Sequence, residues 1–372
     1  MRVCMVTPHL PPDQTANALL PTVLARELAA LGWQSVFLAH PASGAPKPGD
    51  VVYVAKRGRD MLSRTPPGAI TAAARILLAA AKAYRRVDLV HLHGNGLIIE
   101  VAGWGAAARA LPYVITLYGT DVWHFDPARH ARFARVVKGA AQRVFYSHAL
   151  RDRALEVGLA GGASSVIYAP VDHAFRLPSP EERAAARKEL SVEGPLLLTV
   201  KRLHPVAGHE ALLRAMAVLV HMVPQVQLII AGDGELRGDL ERLSASLRLS
   251  ACVRFLGRVD NRHLPRYYAA ADLFVLPSRL ESWGTVMLEA LACGTRVVAT
   301  DTAGAREAHG YFGRDLILET RATPDALASA IAEALQEGRR AGDDTLRRIE
   351  SMFRPGSCAR DYQSVYEAAL HP

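Results

Sequence analysis

Cysteine is scarce. The chain has four in 372 residues (Cys4, Cys252, Cys293 and Cys358), scattered without pairing or metal-ligand spacing. That excludes a disulfide-stapled scaffold and a zinc ribbon, and fits reduced thiols in a cytoplasm. Long apolar runs are missing as well. The longest candidate, "AITAAARILLAAAKAY", is broken by Arg75 and Lys82, so nothing reaches the roughly 18 residues that span a bilayer. The opening "MRVCMVTPHL" carries one basic residue before a short apolar stretch, and reads as a first strand instead of an export signal. A cytoplasmic protein is the expectation. Aromatic residues make up only 6%, and none form a platform beside the basic residues, which argues against nucleic acid. There is no Asp-x-Asp motif, and "GDD" at 342–344 falls in an expected exposed helix. No metal site is expected.

Half of the residues are hydrophobic (50%), enough for a large core and most simply for two domains. The net charge of +8 is unevenly placed. Residues 1–172 hold 19 Lys/Arg against 11 Asp/Glu, a surplus of 8, whereas residues 173–372 hold 25 of each. The densest basic stretch is "RHARFARVVKGAAQR", 129–143. It fits either a solvated helix face or peripheral contact with an anionic membrane surface or acceptor.

Short apolar runs alternate with amphipathic stretches along nearly the whole chain. "RVCMVT", "SVFLAH", "LVHLH", "YVITLY" and "RVFYS" read as buried strands, with helices such as "LLPTVLARELAALG" between them. After a Pro-rich stretch the pattern restarts with "PLLLTV", "VQLIIAG", "VRFLG", "LFVLPS" and "TRVVAT". Two runs of strand–helix units predict an α/β protein with two doubly wound, Rossmann-like domains facing a central cleft. The boundary falls within "YAPVDHAFRLPSP", 168–180, where turn residues are densest. The expected domains are 1–172 and 173–352, with a helix over 353–372 crossing back to the first.

In open parallel sheets, ligands bind at the carboxyl ends of the strands. "ADLFVLPS" is a strand, "RLESW" the loop at its end, and "GTVMLEALACG" the next helix. Glu281 therefore sits on the loop. Gly284 and Thr285 open a helix whose N–H groups and positive dipole end suit a phosphate. Glu289 lies about a turn further in, where a carboxylate accepts two hydrogen bonds from a sugar diol. As spacing alone, two glutamates eight positions apart are a weak signal.

The surrounding residues strengthen it. "ESWGTVMLEALACGTRVVATDTAGAREA" resembles the Glu-x7-Glu segment of the family 4 retaining glycosyltransferases, which have the GT-B fold. "DLVHLHG", "YGTD", "KRL", "IIAGDGELR" and "VRFLGRV" follow that family's order along nearly the whole chain. The resemblance implies transfer of a hexose-type sugar from a nucleoside diphosphate sugar to an acceptor hydroxyl, with retention and without a metal or cofactor. Uridine diphosphate is favoured as the family's commonest donor. The acceptor would be a small molecule or a lipid; the oligomeric state stays open. Glu281 and Arg202 are then the catalytic candidates, on the transferred sugar and the leaving diphosphate. Lys201, Ser282, Trp283, Gly284 and Thr285 belong to the same donor-binding set. Glu289 would hold the ribose, and the backbone of Arg258 and Val259 the nucleobase. Thr15, Ala16, His93, Tyr118 and Asp121 fall on the acceptor or sugar side of the N-terminal domain.

Three positions depart from the family. Thr15 and Ala16 replace two glycines, Tyr118 replaces a histidine, and Ala207 stands where a lysine follows Arg202 by five residues. Loss of a cation from a leaving diphosphate costs several kcal/mol unless another replaces it. Lys201 is the nearest replacement, although neighbouring strand residues point to opposite faces. His204 and His209 are weaker ones. The alternatives to a working transferase are a nucleotide-sugar-binding pseudo-enzyme and a sugar-nucleotide epimerase. His91 and His93 alternate on one strand, but two histidines without a third ligand do not make a metal site.

Overall fold

The computed structural model describes residues 1–11, 13, 16–41, 51–54, 66–321 and 323–371. The chain divides into two compact units, residues 1–170 with 355–372 and residues 171–354. Each is a parallel sheet flanked by helices.

In the first unit the strands are β1 (Arg2–Thr7), β2 (Gln34–Ala39), β3 (Val51–Tyr53), β4 (Leu89–His93), β5 (Tyr113–Leu117), β6 (Gln142–Phe145) and β7 (Ser164–Val166). The helices between them are α1 (Ala16–Ala30), α2 (Pro66–Ala83), α3 (Leu97–Ala107), α4 (Thr120–Trp123), α5 (Ala131–Gly139) and α6 (His148–Glu156). All pairings are parallel, in the order β3-β2-β1-β4-β5-β6-β7. The central strands are buried on both faces, which is why they read as continuous apolar runs. Each fully buried Val, Leu or Ile contributes about 1.5–3 kcal/mol. Not every basic residue of the 129–143 stretch is solvated: Arg132, Arg135 and Lys138 are exposed, but Arg143 is 4% exposed and donates from Nε to the Val137 carbonyl at 2.8 Å.

The second unit opens with α7 (Pro180–Glu189), started by a reciprocal cap between Ser179 and Glu182 with Pro180 at the first helical position. Arg187 Nη1 on α7 donates to Asp272 Oδ2 at 2.9 Å, and the Leu196 amide donates to the same oxygen at 2.8 Å. The strands are β8 (Leu196–Val200), β9 (Gln227–Ala231), β10 (Val253–Gly257), β11 (Leu273–Leu276), β12 (Arg296–Thr300) and β13 (Leu316–Glu319). The helices are α8 (His209–Met222), α9 (Arg237–Ser246), α10 (Leu264–Ala270), α11 (Thr285–Ala292), α12 (Ala303–Phe312), α13 (Pro324–Gln336) and α14 (Asp343–Met352). The sheet runs β10-β9-β8-β11-β12-β13, so the strand order reverses between β8 and β11.

The last helix, α15 (Pro355–Leu370), belongs to the first unit. Its Tyr362, Val365, Tyr366 and Ala369 share a core with Val3, Met5, Leu24, Leu28 and Trp33. Among the described residues no helix is long and apolar enough to cross a membrane.

Candidate active site

A doubly wound sheet offers its ligand crevice where the strand order reverses, at the carboxyl ends of the two strands concerned. In the second unit those strands are β8 and β11. Lys201 follows the first and Glu281 lies on the loop after the second. The Lys201 Nζ donates to Glu281 Oε2 in a short charge-assisted hydrogen bond, and to Ser278 Oγ at 2.9 Å. Glu281 Oε1 accepts from the Ser282 amide at 3.1 Å. The loop itself is clamped on two sides: the Arg279 amide donates to the Val206 carbonyl at 2.8 Å, and the Gly304 amide to the Glu281 carbonyl at 3.0 Å. The objection from strand alternation falls away, because β8 ends at Val200 and Lys201 lies beyond it.

The other cations sort themselves by burial. Arg202 is exposed, and its guanidinium has no ion-pair partner among the described residues. Ala207 is 1% exposed in a single turn of 3-10 helix, so the position of the expected lysine is filled by a packed methyl group. His209 is no substitute. It is 2% exposed, and burial, assisted by the Lys201 charge, pushes its imidazole down to about 4. His204 is spent nearby, with Nε2 3.6 Å from Glu235 and Nδ1 accepting from the Val206 amide. Arg258 is exposed and Val259 half-buried just past β10.

Gly284 caps α11 with φ 78° and ψ 65°, a left-handed conformation that favours glycine. A Cβ there would lie 2.8 Å from Met287 Cε and 3.2 Å from Glu281 Cγ. Ser282 and Thr285 on either side are half-buried. Trp283, expected in the donor-binding set, has its side chain elsewhere. The indole is 3% exposed and packs on Phe353 (centroids 5.7 Å apart) and Tyr311 (6.2 Å). Only the main chain at 283 is left to face a ligand.

Glu289 is half-buried on α11, and Tyr268 donates to its Oε2 at 2.8 Å. Burial raises the carboxyl to about 7; the Tyr268 hydrogen bond opposes that rise, and the nearby Asp172 carboxylate adds to it. Tyr268 is fully buried between Phe175 (5.6 Å) and Phe274 (5.5 Å), so its hydroxyl is fixed by packing.

In the first unit the strand order reverses between β1 and β4. His93 ends β4 and is 1% exposed. Its Nδ1 lies 2.9 Å from the Tyr118 hydroxyl and its Nε2 3.4 Å from Met5 Sδ on β1. A thioether can only accept, so Nε2 carries the proton and Tyr118 donates to Nδ1. Burial pushes His93 down to about 3, which keeps it neutral. His91 is held between Tyr366 (2.6 Å) and Thr116 (2.7 Å), and Tyr362 reaches the same threonine at 3.0 Å. The two histidines therefore build a buried network with α15. Asp121, expected on the sugar side, accepts from the amides of Gly119 (2.7 Å) and Tyr118 (3.0 Å) and is 4% exposed. It shapes the β5–α4 turn. Thr15 lies outside the described residues, as does the side chain of Ala16 at the start of α1.

Sequence reasoning missed Tyr268 and Asp172, which neighbour Glu289, and Ser278, which accepts from Lys201. Tyrosine in "RYYAA" and serine in "LPSR" carry no signal of their own.

A sequence model described as glycosyl transferases group 1 matches residues 181–349, and one described as glycosyltransferase family 4 matches residues 22–175. Among curated proteins, the chain is 31% identical to a Mycobacterium tuberculosis protein over 256 residues. That protein is named GDP-mannose-dependent alpha-(1-6)-phosphatidylinositol monomannoside mannosyltransferase, and the match covers 66% of this chain and 65% of the relative. It is 30% identical to the Mycolicibacterium smegmatis protein of the same name, over 63% of each. The chain thus spans a little less than two thirds of these relatives. Among solved structures, Thermosynechococcus elongatus sucrose-phosphate synthase superposes with a TM-score of 0.79 at 21% identity, covering 100% of this chain and 99% of that one. Anabaena HepE, in complex with UDP and glucose, gives 0.80 at 20% identity, covering 99% and 100%. These likenesses and the two parallel sheets define a GT-B fold. Glycosyltransferase models, group 1 and family 4, thus match the two halves of a chain that has the GT-B fold.

Proposed function

We propose that this protein moves a hexose from a nucleoside diphosphate sugar to an acceptor hydroxyl, with retention of anomeric configuration and without a metal ion. The observation that carries the reading is the Lys201–Glu281 pair across the β8/β11 switch point, beside the exposed Arg202. As the glycosidic bond breaks, negative charge grows on the departing diphosphate, and preorganised cations lower that barrier. Arg202 and Lys201 supply two cations within adjacent positions. Lys201 takes over the charge that Ala207 lacks, and also orients Glu281 toward hydroxyls of the transferred sugar. The α11 amides near Gly284 and Thr285 add N–H dipoles for the diphosphate. Glu289, held by Tyr268, binds the ribose through its other oxygen, and main chain at Arg258 and Val259 meets the base. Residues 171–354 are then the donor-binding unit and the first unit receives the acceptor.

The sequence favours a uridine donor by family frequency alone. The mannosyltransferase relatives carry GDP-mannose in their names, so GDP-mannose comes first in the donor panel and UDP-glucose second. Ala207 also favours a second reading, a module that binds nucleotide sugars without transferring them. Proton NMR of the sugar released or transferred from each donor, in the presence of EDTA, tests the reading. An axial donor giving an axial product is expected. Inversion, dependence on added metal, or binding without any turnover would overturn it.

A further inference from the structure

Helix α2 is apolar on both sides. Its inner side buries Ile76, Ala80 and Ala83 in the core of the first unit. A surface helix with that face filled carries polar residues on the opposite one. Here the outward side presents Ile70 (68% exposed), Leu77 (41%) and Leu78 (73%). Spaced at i, i+7 and i+8, they share one face. Among the described residues eight large apolar side chains are exposed; three are on this helix, including the two most exposed of all.

Charge frames that face. From Pro66 to Arg86 the sequence has four cations, Arg75, Lys82, Arg85 and Arg86, and no carboxylate. All four are exposed, and none takes part in an ion pair among the described residues. Placement near the helix C-terminus accounts for Lys82, Arg85 and Arg86 through the helix dipole. It accounts neither for Arg75, which shares one edge of the helix with Lys82 at i and i+7, nor for the apolar face beside them.

We propose that the outer face of α2 docks this protein on an anionic lipid bilayer, lying in the interface plane. Apolar side chains enter the acyl boundary there, while flanking Lys and Arg reach the headgroups. The surplus of 8 positive charges in residues 1–172 favours the same surface. Charge complementarity selects the occupant. In a symmetric dimer through α2, two sets of four unpaired cations would face each other, which disfavours self-association. The inference stands apart from the donor chemistry, because docking needs no nucleotide.

Co-sedimentation of the whole chain with lipid vesicles tests it. Binding to vesicles of phosphatidylcholine mixed with phosphatidylglycerol is expected at low salt, with release at high salt and little binding to phosphatidylcholine alone. The Ile70→Ser/Leu77→Ser/Leu78→Ser variant and the Arg75→Gln/Lys82→Gln/Arg85→Gln/Arg86→Gln variant each lose at least about tenfold in partitioning. All seven side chains are exposed, so both variants keep the wild-type melting behaviour. Wild-type protein that stays in the supernatant overturns the proposal, as does a serine variant that binds like wild type. Sedimentation velocity gives a further check: a wild-type dimer that the serine variant dissolves would make the face a self-association surface and end the membrane reading. Loss of vesicle binding with glycosyl transfer intact, or the reverse, separates the two proposals.

Discussion

Lys201 Nζ binds the Glu281 carboxylate across the point where the second sheet reverses its strand order. The two residues are 80 positions apart in the chain, yet Lys201 directly follows β8 and Glu281 lies on the loop that leaves its neighbour β11. Removing the ammonium leaves a partly buried carboxylate without its counter-charge. Lys201→Met is expected to lower turnover by about 10²-fold, since one charge-stabilising donor at a developing anion is worth that much. Glu281→Gln keeps the shape, and should depress kcat more than donor affinity, because a contact to the reacting sugar counts chiefly in the transition state. Steady-state kinetics on both variants checks this; a rise in KM with kcat unchanged would assign Glu281 to ground-state binding alone.

Glu289 gives a pH signature. Its folded value of about 7 lies above the ordinary carboxyl value of 4.5. A raised carboxyl favours the fold below about 4.5, and that contribution is lost as pH rises through about 7. Glu289→Gln should therefore flatten this part of the stability–pH profile and be the more stable protein in mild alkali. Nucleoside diphosphate affinity should rise through the same window in wild type, as the carboxylate ionises to accept ribose hydroxyls. Tyr268→Phe removes the hydrogen bond that opposes the shift, so the midpoint should move to higher pH. Calorimetric titration of nucleotide at several pH values reads both; an unmoved midpoint in Tyr268→Phe would deny tyrosine that positioning role.

Gly284 cannot report on phosphate binding by simple enlargement. Its left-handed backbone makes any side chain costly, whatever the ligand does. Gly284→Ala is expected to destabilise the protein by about 1–2 kcal/mol, read by urea denaturation. A stability equal to wild type would mean the α11 cap relaxes without cost.

The first unit should be acid-sensitive. His93 is held neutral, with its folded value near 3 against an ordinary 6.5, and burial pushes His91 well down too. Such groups stabilise the fold above about 6.5, and the contribution is lost as pH falls toward the folded values. His93→Asn is expected to weaken the protein at neutral pH while making its acid unfolding shallower. A variant with the same acid slope would place the sensitivity elsewhere.

The fold was legible because parallel strands buried on both faces leave continuous apolar runs, and both sheets announced themselves that way. Of the strands not anticipated, β3 and β7 have three residues each, too few to show a pattern, and the four-residue β13 ends on the charged Glu319. The local setting of the candidate residues was legible in part. The motif reading puts Glu281 on the loop after β11, Gly284 at the start of α11 and Glu289 within it, where the structure also has them. It does not tell side chain from main chain at Trp283, whose indole belongs to an aromatic cluster with Tyr311 and Phe353. Strand alternation counts against Lys201, the nearest replacement for the missing lysine, but that rule stops where β8 stops, at Val200. Asp121, expected on the acceptor or sugar side, accepts from the amides of its own turn, a role the sequence does not announce. Partners such as Tyr268 come from distant sequence, and only tertiary packing reveals them.

Release of nucleoside diphosphate from a nucleotide sugar tests the central claim most directly. Wild-type protein, assayed with GDP-mannose and UDP-glucose in EDTA, is expected to turn over one of them. Arg202→Ala and Lys201→Met should each fall by about 10²-fold or more, which is the shared burden that Ala207 leaves to two adjacent cations. Tight donor binding with no release, or activity that survives loss of either cation within a few-fold, would contradict the account.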